Sequence, residues 1–169
     1  MAERILIKPG SPADEDEFLG AVRLSRTLHG SWVQAPLTPG AFRAHLARQE
    51  GQRCAVFFLW LEKSQALVGV VNLSEIVRGH FQSAYLGYYA FEPFAGRGLM
   101  QDGLSQVITH AFRSMKLHRL EANIQPGNAR SKGLVKELGF RREGFSPRYL
   151  KIKGRWRDHE RWTILSEEW

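Results

Sequence analysis

An α/β fold, more closely α+β, is predicted by three features of the sequence. Short β-rich runs separated by hairpin-length turns fill the first half, one long segment with apolar residues at every third or fourth position sits in the middle, and strand and helix signals alternate after it. The chain has 169 residues, 43% apolar and 24% charged, without internal repeats, low-complexity runs or linkers, so a single domain covering 1–169 is expected. Disorder and fibrous structure are excluded.

The first strand is Arg4–Lys8, RILIK, which alternates apolar and polar residues. A Pro9–Pro12 turn follows, and the acids of Asp14–Glu17 suit the positive end of a helix running to about Leu28. Leu28–Pro39 reads as a loop and places Trp32 in a connection. Thr38 caps a second helix with Pro39 in its first position, running through Phe42, Leu46 and Ala47. Arg53–Leu61 and Ala66–Val77 are β-rich runs joined by a short turn, and Ser83–Phe91 is a third, so a meander is the simplest arrangement. From Leu99 the period changes. Leu104, Val107, Ile108, Ala111, Phe112 and Met115 continue one apolar face and predict a helix over Gly98–Met115. His118–Gln125 is a strand, Asn128 caps a helix through Leu138 with Gly139 just past its end, and Phe140–Ile152 and Arg155–Leu165 form a hairpin about Lys153-Gly154.

Composition narrows the chemistry. Apolar runs such as Cys54–Leu61 fall far short of the roughly 20 residues that span a bilayer, and MAERILIKPG lacks the apolar core of a signal peptide. A cytoplasmic protein with no membrane partner is expected. Cys54, the one cysteine, reads as a small buried hydrophobe inside an apolar run. The six histidines and seventeen acids show no metal-ligand spacing such as HExxH, so no metal is implied. The net charge of +7 suggests an anionic partner, and it is concentrated. Residues 141–161 carry eight basic and three acidic groups, interleaved with Phe145, Tyr149 and Trp156. Such a segment is either an edge hairpin kept soluble by its cations or a surface for nucleic acid or the ribosome.

The densest signal is Gly87–Gln101, GYYAFEPFAGRGLMQ. Here a strand runs into a glycine-rich turn that opens the long helix. Gly96 and Gly98 let the backbone approach a ligand, and the first helical amides lack partners while the helix dipole favours negative charge. The turn is therefore a candidate phosphate cradle, although neither a Walker loop nor a GxGxxG fingerprint is present.

The strand, the GRG turn and its helix, the Asn128–Ser131 helix start and the Leu138–Phe140 exit, taken in order, resemble the GNAT family of N-acetyltransferases over nearly the whole chain. The segments VVNLSEIVRG (70–79), YLGY (85–88), HRLEAN (118–123) and GRWRDH (154–159) are similar to its RimJ/RimL branch of ribosomal-protein alanine N-acetyltransferases. The resemblance implies a mixed six- to seven-stranded sheet that splays between its fourth and fifth strands, flanked by about four helices. It implies direct acetyl transfer from acetyl-CoA to a primary amine, in particular the N-terminal alanine or serine amine of a ribosomal protein. A small-molecule amine such as a polyamine, amino acid or aminoglycoside is the alternative acceptor, and a ribosome- or RNA-binding module without turnover is another reading. By the same resemblance, acetyl-CoA lies along Tyr88, Tyr89 and Ala90, its pyrophosphate on Gly96, Arg97, Gly98, Leu99, Met100 and Gln101, and its pantetheine arm near Asn128. Met100 stands where the family commonly has Gly or Ala. The family tyrosine that protonates the leaving thiolate is replaced by Val135, which leaves Ser131 as the matching acid. Glu121 and Glu75 are the candidate bases, each with an ion-pair role, to Arg119 or Arg78 for instance, as the alternative. Trp32 and Asn123 are assigned to the acceptor, whose path passes His29 and Val33. Monomer and homodimer are both compatible with the sequence.

Overall fold

The computed structural model describes residues 3–169. Seven strands build one sheet: β1 (Ile5–Pro9), β2 (Ala55–Leu61), β3 (Leu67–Val77), β4 (Ser83–Ala90), β5 (Arg119–Ile124), β6 (Arg141–Ile152) and β7 (Arg155–Leu165). Their spatial order is β1-β2-β3-β4-β5-β7-β6, antiparallel throughout except for the central β4–β5 pair. The helices are α1 (Glu15–Leu24), α2 (Arg26–His29), α3 (Pro39–Ala47), α4 (Leu99–Arg113) and α5 (Ala129–Glu137). Among the described residues no helix is long and apolar enough to cross a membrane.

The β2 run AVFFLWL is continuously apolar because both faces of the sheet are covered, so neither face of that strand meets water. On one face α4 and α5 pack Leu104, Val107, Ile108 and Val135 against Leu59, Val71, Leu73 and Leu120. On the other, α1 and α3 bring Phe18 and Phe42 onto Phe58, Val70 and Phe91, with the Phe18 and Phe42 rings 4.8 Å apart. Each fully buried side chain of this size contributes roughly 1.5–3 kcal/mol. Gly103 sets the depth of α4, since a Cβ there would lie 2.3 Å from Leu59 Cδ1. That close approach fixes where the first turn of the helix sits.

The expected elements are present, with three differences. The single helix predicted up to Leu28 is interrupted at Ser25, giving α1 and the one-turn α2, and hence five helices where about four were implied. The fully buried Ser25 hydroxyl donates to the Ala21 carbonyl at 2.7 Å and accepts from the Glu92 amide at 2.9 Å. A polar side chain that competes for helix backbone groups thus bends the chain and ties it to the segment after β4. The long helix spans Leu99–Arg113 in place of Gly98–Met115: Gly98 takes a left-handed φ of 79° and acts as its N-cap, and Ser114 is its C-cap. Cys54 lies just before β2 and is only half-buried, lining a small cavity with His45 and Asn72.

The β6–β7 turn follows its sequence. Lys153 and Gly154 both have positive φ, 48° and 80°, as a tight two-residue hairpin turn requires. The turn is fastened to the loop after α2: the Lys153 amide donates to Gln34 Oε1 at 3.0 Å, and its Nζ donates to the Gly30 carbonyl.

Candidate active site

The central parallel ladder is short. Only Ser83, Ala84 and Tyr85 of β4 pair with Arg119, Leu120 and Glu121 of β5. Beyond them β4 continues to Ala90 bonded to β3 alone, and β5 continues to Ile124 bonded to β7 alone. The end of β4 therefore presents an edge with no strand partner on that side, and a cavity of about 720 Å³ opens beside Tyr88, Tyr89 and Ala90, lined also by the starts of α4 and α5. An extended ligand can pair with such an edge as an added strand.

Most of the sequence-predicted cofactor residues meet there. Tyr88, Tyr89 and Ala90 form one wall, Gly96, Gly98, Met100 and Gln101 one end, and Asn128 and Ser131 the opposite wall. Gly96 and Gly98 have φ of 76° and 79°, and a Cβ at either position would meet nothing. Conformation, not crowding, demands glycine here. The Gln101 amide turns back to the Gly98 carbonyl at 3.1 Å, so the amides left for an anion are those before it. Asn128 caps α5 through its side chain, which accepts from the Ser131 amide at 3.2 Å.

Met100 is accommodated by a second glycine. A Cβ on Gly69, in the adjoining β3, would stand 2.5 Å from Met100 Sδ and 2.8 Å from the Tyr89 carbonyl. The thioether fills the space that the missing side chain leaves, which explains how a long residue fits where the resemblance expects a small one.

Other predicted residues lie elsewhere. Arg97 does not line the cavity: its Nη2 is 2.7 Å from Glu3 Oε2, and its guanidinium lies over the Phe94 ring. Leu99 is buried and offers its backbone only. Glu75 is exposed at a bulge in β3, with φ of 47°, and accepts from Arg53 at 2.7 Å. Glu121 accepts from Arg119 Nε at 2.8 Å. Both carboxylates are thus in ion pairs, and neither lines the cavity. Asn123 lies further along β5, and its buried Oδ1 has no hydrogen-bond partner. Trp32 does line the cavity, together with His29 and Val33, and its indole packs on Gly127 so closely that a Cβ there would be 3.1 Å from Cη2.

Two features were not legible beforehand. The Tyr88 side chain crosses from β4 to α5, its hydroxyl 2.6 Å from Ser131 Oγ and 3.0 Å from the Ser131 carbonyl. The resemblance places Tyr88 only on the strand along which acetyl-CoA lies, because sequence alone does not say that its ring reaches the neighbouring helix. Burial pushes the phenol up to about 12, so it stays protonated. His29 is the second. Its Nε2 donates to the Ala90 carbonyl at 2.8 Å, which assigns the tautomer, and its ring stands edge-on to Tyr89. Burial lowers its pKa more than the Ala90 bond raises it, and Lys153 lowers it further, so the imidazole is neutral.

Among the described residues no group of three or more His, Cys, Asp or Glu is placed to hold a metal ion. The open β4 edge, the glycine-opened helix terminus and the capped Asn128 turn together define an acyltransferase architecture. Residues 4–141 match the family model described as acetyltransferase (GNAT) domain, and the chain belongs to that family. It is 39% identical over 113 residues, 67% of its length, to the ribosomal protein uS5–alanine N-acetyltransferase of Escherichia coli (strain K12). The match spans 58% of that relative's length. Mycobacterium smegmatis RimJ in complex with CoA-disulfide superposes with a TM-score of 0.88 at 25% identity, covering 97% of this chain and 83% of the other. The ribosomal-protein-S5-alanine acetyltransferase of Vibrio fischeri has the same fold, with a TM-score of 0.87 at 23% identity over 100% of this chain and 97% of that one.

Three histidines, one of them in the site, set a pH dependence. His29, His45 and His159 all have lowered pKa values, with burial the largest cause in each case. The unfolded chain takes up their protons near pH 6.5, whereas the folded protein does so only at lower pH. Their contribution is complete above pH 6.5 and is lost as pH falls below it. Glu143, held at about 2 chiefly by Arg119, adds a separate loss from 4.5 downward. Chemical denaturation should give an unfolding free energy that declines between pH 7 and 5.5, less steeply in His29→Asn. A flat profile over that range contradicts the neutral-histidine assignment.

Proposed function

We propose that the protein is an acetyl-CoA-dependent N-acetyltransferase that acts on the N-terminal amine of a protein, in the cytoplasm. The observation that carries this reading is the free β4 edge running into the glycine-opened terminus of α4. Pantetheine pairs along Tyr88–Ala90, and the pyrophosphate sits on the amides from Gly96 to Met100. The E. coli relative's name supports a ribosomal protein as the acceptor. A small amine would use the same transfer step, and it is the second reading.

The step is direct. The uncharged amine attacks the thioester carbonyl, a bond forms between nitrogen and the acetyl carbon, and the carbon–sulfur bond breaks. The β4 edge at Ala90 lies where a backbone amide would stabilise the oxyanion. With Val135 unable to donate a proton, Ser131 protonates the leaving thiolate. Tyr88 is a positioning residue: its hydroxyl donates to the Ser131 carbonyl at 3.0 Å and stands 2.6 Å from Ser131 Oγ, which fixes the serine at the cavity wall. Glu121 and Glu75 serve as bases only through water, since each already accepts from an arginine. Asn123 Oδ1, buried without a partner, is the group we assign to the amine.

The basic hairpin divides in two. Near its base, Arg141 pairs with Glu143 and Glu168, and Arg142 lies 3.7 Å from Glu160, so these charges serve the fold. Toward its tip, the side chains of Arg148, Lys151 and Arg155 are exposed, and no carboxylate among the described residues pairs with them. We assign this distal part to the anionic surface of a ribosomal particle.

Three outcomes test this reading. In a thiol-release assay with acetyl-CoA and peptides beginning Ala, Ser, Met or Thr, alongside polyamines and amino acids, Ala- or Ser-peptides should be the best acceptors. Ser131→Ala should lower kcat by about 10- to 100-fold with little change in the acetyl-CoA KM, and Tyr88→Phe should lower it less. A wild-type kcat in Ser131→Ala removes that serine from the mechanism. Ribosomal particles should pellet the wild-type protein at low salt, and the double charge reversal Lys151→Glu/Arg155→Glu should weaken this association. Equal pelleting of both proteins contradicts the hairpin assignment.

A further inference from the structure

Neither carboxylate considered for the amine's proton is free: Glu121 accepts from Arg119, Glu75 accepts from Arg53, and neither lines the main cavity. We infer that His159 of β7 is the proton acceptor in their place, reached from the amine through one water. The inference rests on the N-terminal acetyltransferase reading and names the residue that completes its proton transfer.

Strand register is the first argument. Ala84 and Leu86 of β4 and Leu120, Ala122 and Ile124 of β5 belong to the core under α4 and α5, so Tyr85, Tyr89 and Asn123 lie on the opposite face of the sheet. Asn123 is paired with Arg161 across the β5–β7 ladder. His159, two residues from Arg161, is on that same face, a diagonal neighbour of Asn123 at about 7–8 Å, which one water bridges. A Cβ on Gly144 would stand 2.5 Å from Arg161 Nη2, so the guanidinium leans toward β6 and away from that diagonal. Tyr149 ties the corner to β4: its ring centroid is 6.3 Å from that of His159, and its hydroxyl is 3.3 Å from that of Tyr85, the last β4 residue paired with β5. The imidazole thus stands beside the point where β4 and β5 part. His29, the other neutral imidazole near the site, is bonded through Nε2 to Ala90, at the far end of β4 from that point.

The state of the ring is the second. Its Nδ1 donates to the Arg157 carbonyl at 2.8 Å, a bond that only the protonated nitrogen makes, so the lone pair is on Nε2. Among the described residues nothing bonds Nε2, and it is not one of the buried polar atoms without a partner, so it is open to water. Those buried atoms include Asn123 Oδ1, Tyr89 Oη and Arg161 Nε, all on this face, and such a concentration of unpaired groups calls for a polar ligand and its water. The titratable and charged groups around the ring are Arg148 and Tyr149 of β6, Arg157, Asp158 and Arg161 of β7, and Glu121 farther along β5. Burial lowers the imidazole pKa more than the Arg157 bond and Asp158 raise it, so the ring is neutral and able to accept. As the nitrogen–carbon bond forms, the surplus proton on nitrogen passes to the water while the water gives one to Nε2. The carbon–sulfur bond breaks and Ser131 protonates the thiolate. The imidazolium then releases its proton to solvent, from which Ser131 is reprotonated.

The test follows turnover of an alanine-terminated peptide from pH 5 to 9 by the wild-type protein, His159→Asn, His159→Gln and His29→Asn. His159→Asn retains an N–H for the Arg157 carbonyl and has no basic nitrogen. Both His159 variants should bind acetyl-CoA as the wild-type protein does and lose about 10- to 100-fold in kcat. In the wild-type protein, protonation of the amine and of His159 both stop the reaction, so log(kcat/KM) should fall on the acid side one unit more steeply than in the His159 variants. A near-wild-type kcat overturns the inference. So does a lower kcat with the wild-type slope, which marks a structural role, or a loss of slope in His29→Asn alone. Independently of any substitution, the His159 pKa read by NMR in the wild-type protein should coincide with the lower inflection of the profile, and a mismatch of more than about one unit overturns the assignment. Wild-type turnover leaves the transferase reading standing in each of these cases, and its absence overturns that reading.

Discussion

The loss of pairing between β4 and β5 after Tyr85 and Glu121 is the constraint on which the rest of the structure depends. A continuous sheet would satisfy every backbone group at its centre, and each buried group left unpaired costs roughly 1–3 kcal/mol. Here β5 spends its pairing on β7 along its whole length, while the last five residues of β4 have β3 alone. The gap is bridged by side chains. Tyr88 reaches Ser131 on one side of it, and Trp32 closes on Gly127 on the other. The free β4 edge is thereby kept available to a ligand.

The same opening organises the electrostatics. Gly98 ends the β4–α4 connection in a left-handed conformation, and Gly98, Met100 and Gln101 at the start of α4 line the cavity. Asn128 caps α5 by accepting from the Ser131 amide, and the first turn of α5 also lines the cavity, so two helix N-termini border one space. Arg97, the obvious cation of the glycine turn, is instead held by Glu3. Attraction for an anion therefore comes from the backbone dipoles together with Arg130, the arginine among the residues that line the cavity. The acids follow a related logic: Glu121 and Glu143 converge on Arg119, which stiffens the sheet below the splay but takes Glu121 out of free base chemistry.

Much of the fold was legible because its signals are local. The α4 period, the Thr38 and Asn128 caps and the Lys153-Gly154 turn each specify an element from neighbouring residues. The glycine turn was legible for the same reason. What the sequence hid depends on distance in space. Ser25 breaks a helix by accepting from an amide 67 positions later. Gly69 makes room for Met100, and Tyr88 turns from a strand residue into the partner of Ser131. Glu75 and Glu121 looked interchangeable as bases until their arginines were seen to occupy them. The ion-pair alternative for each was correct in kind, with Arg53 in place of Arg78 as the partner of Glu75.

Titration calorimetry with acetyl-CoA against the wild-type protein and Gly98→Trp tests the central claim most directly, because Gly98 anchors the cradle without contributing to the core. The wild-type protein should bind one equivalent, and the variant, checked by circular dichroism to be folded, should lose at least tenfold in affinity. Undiminished binding in the folded variant would contradict the assignment of the α4 terminus and the β4 edge to acetyl-CoA.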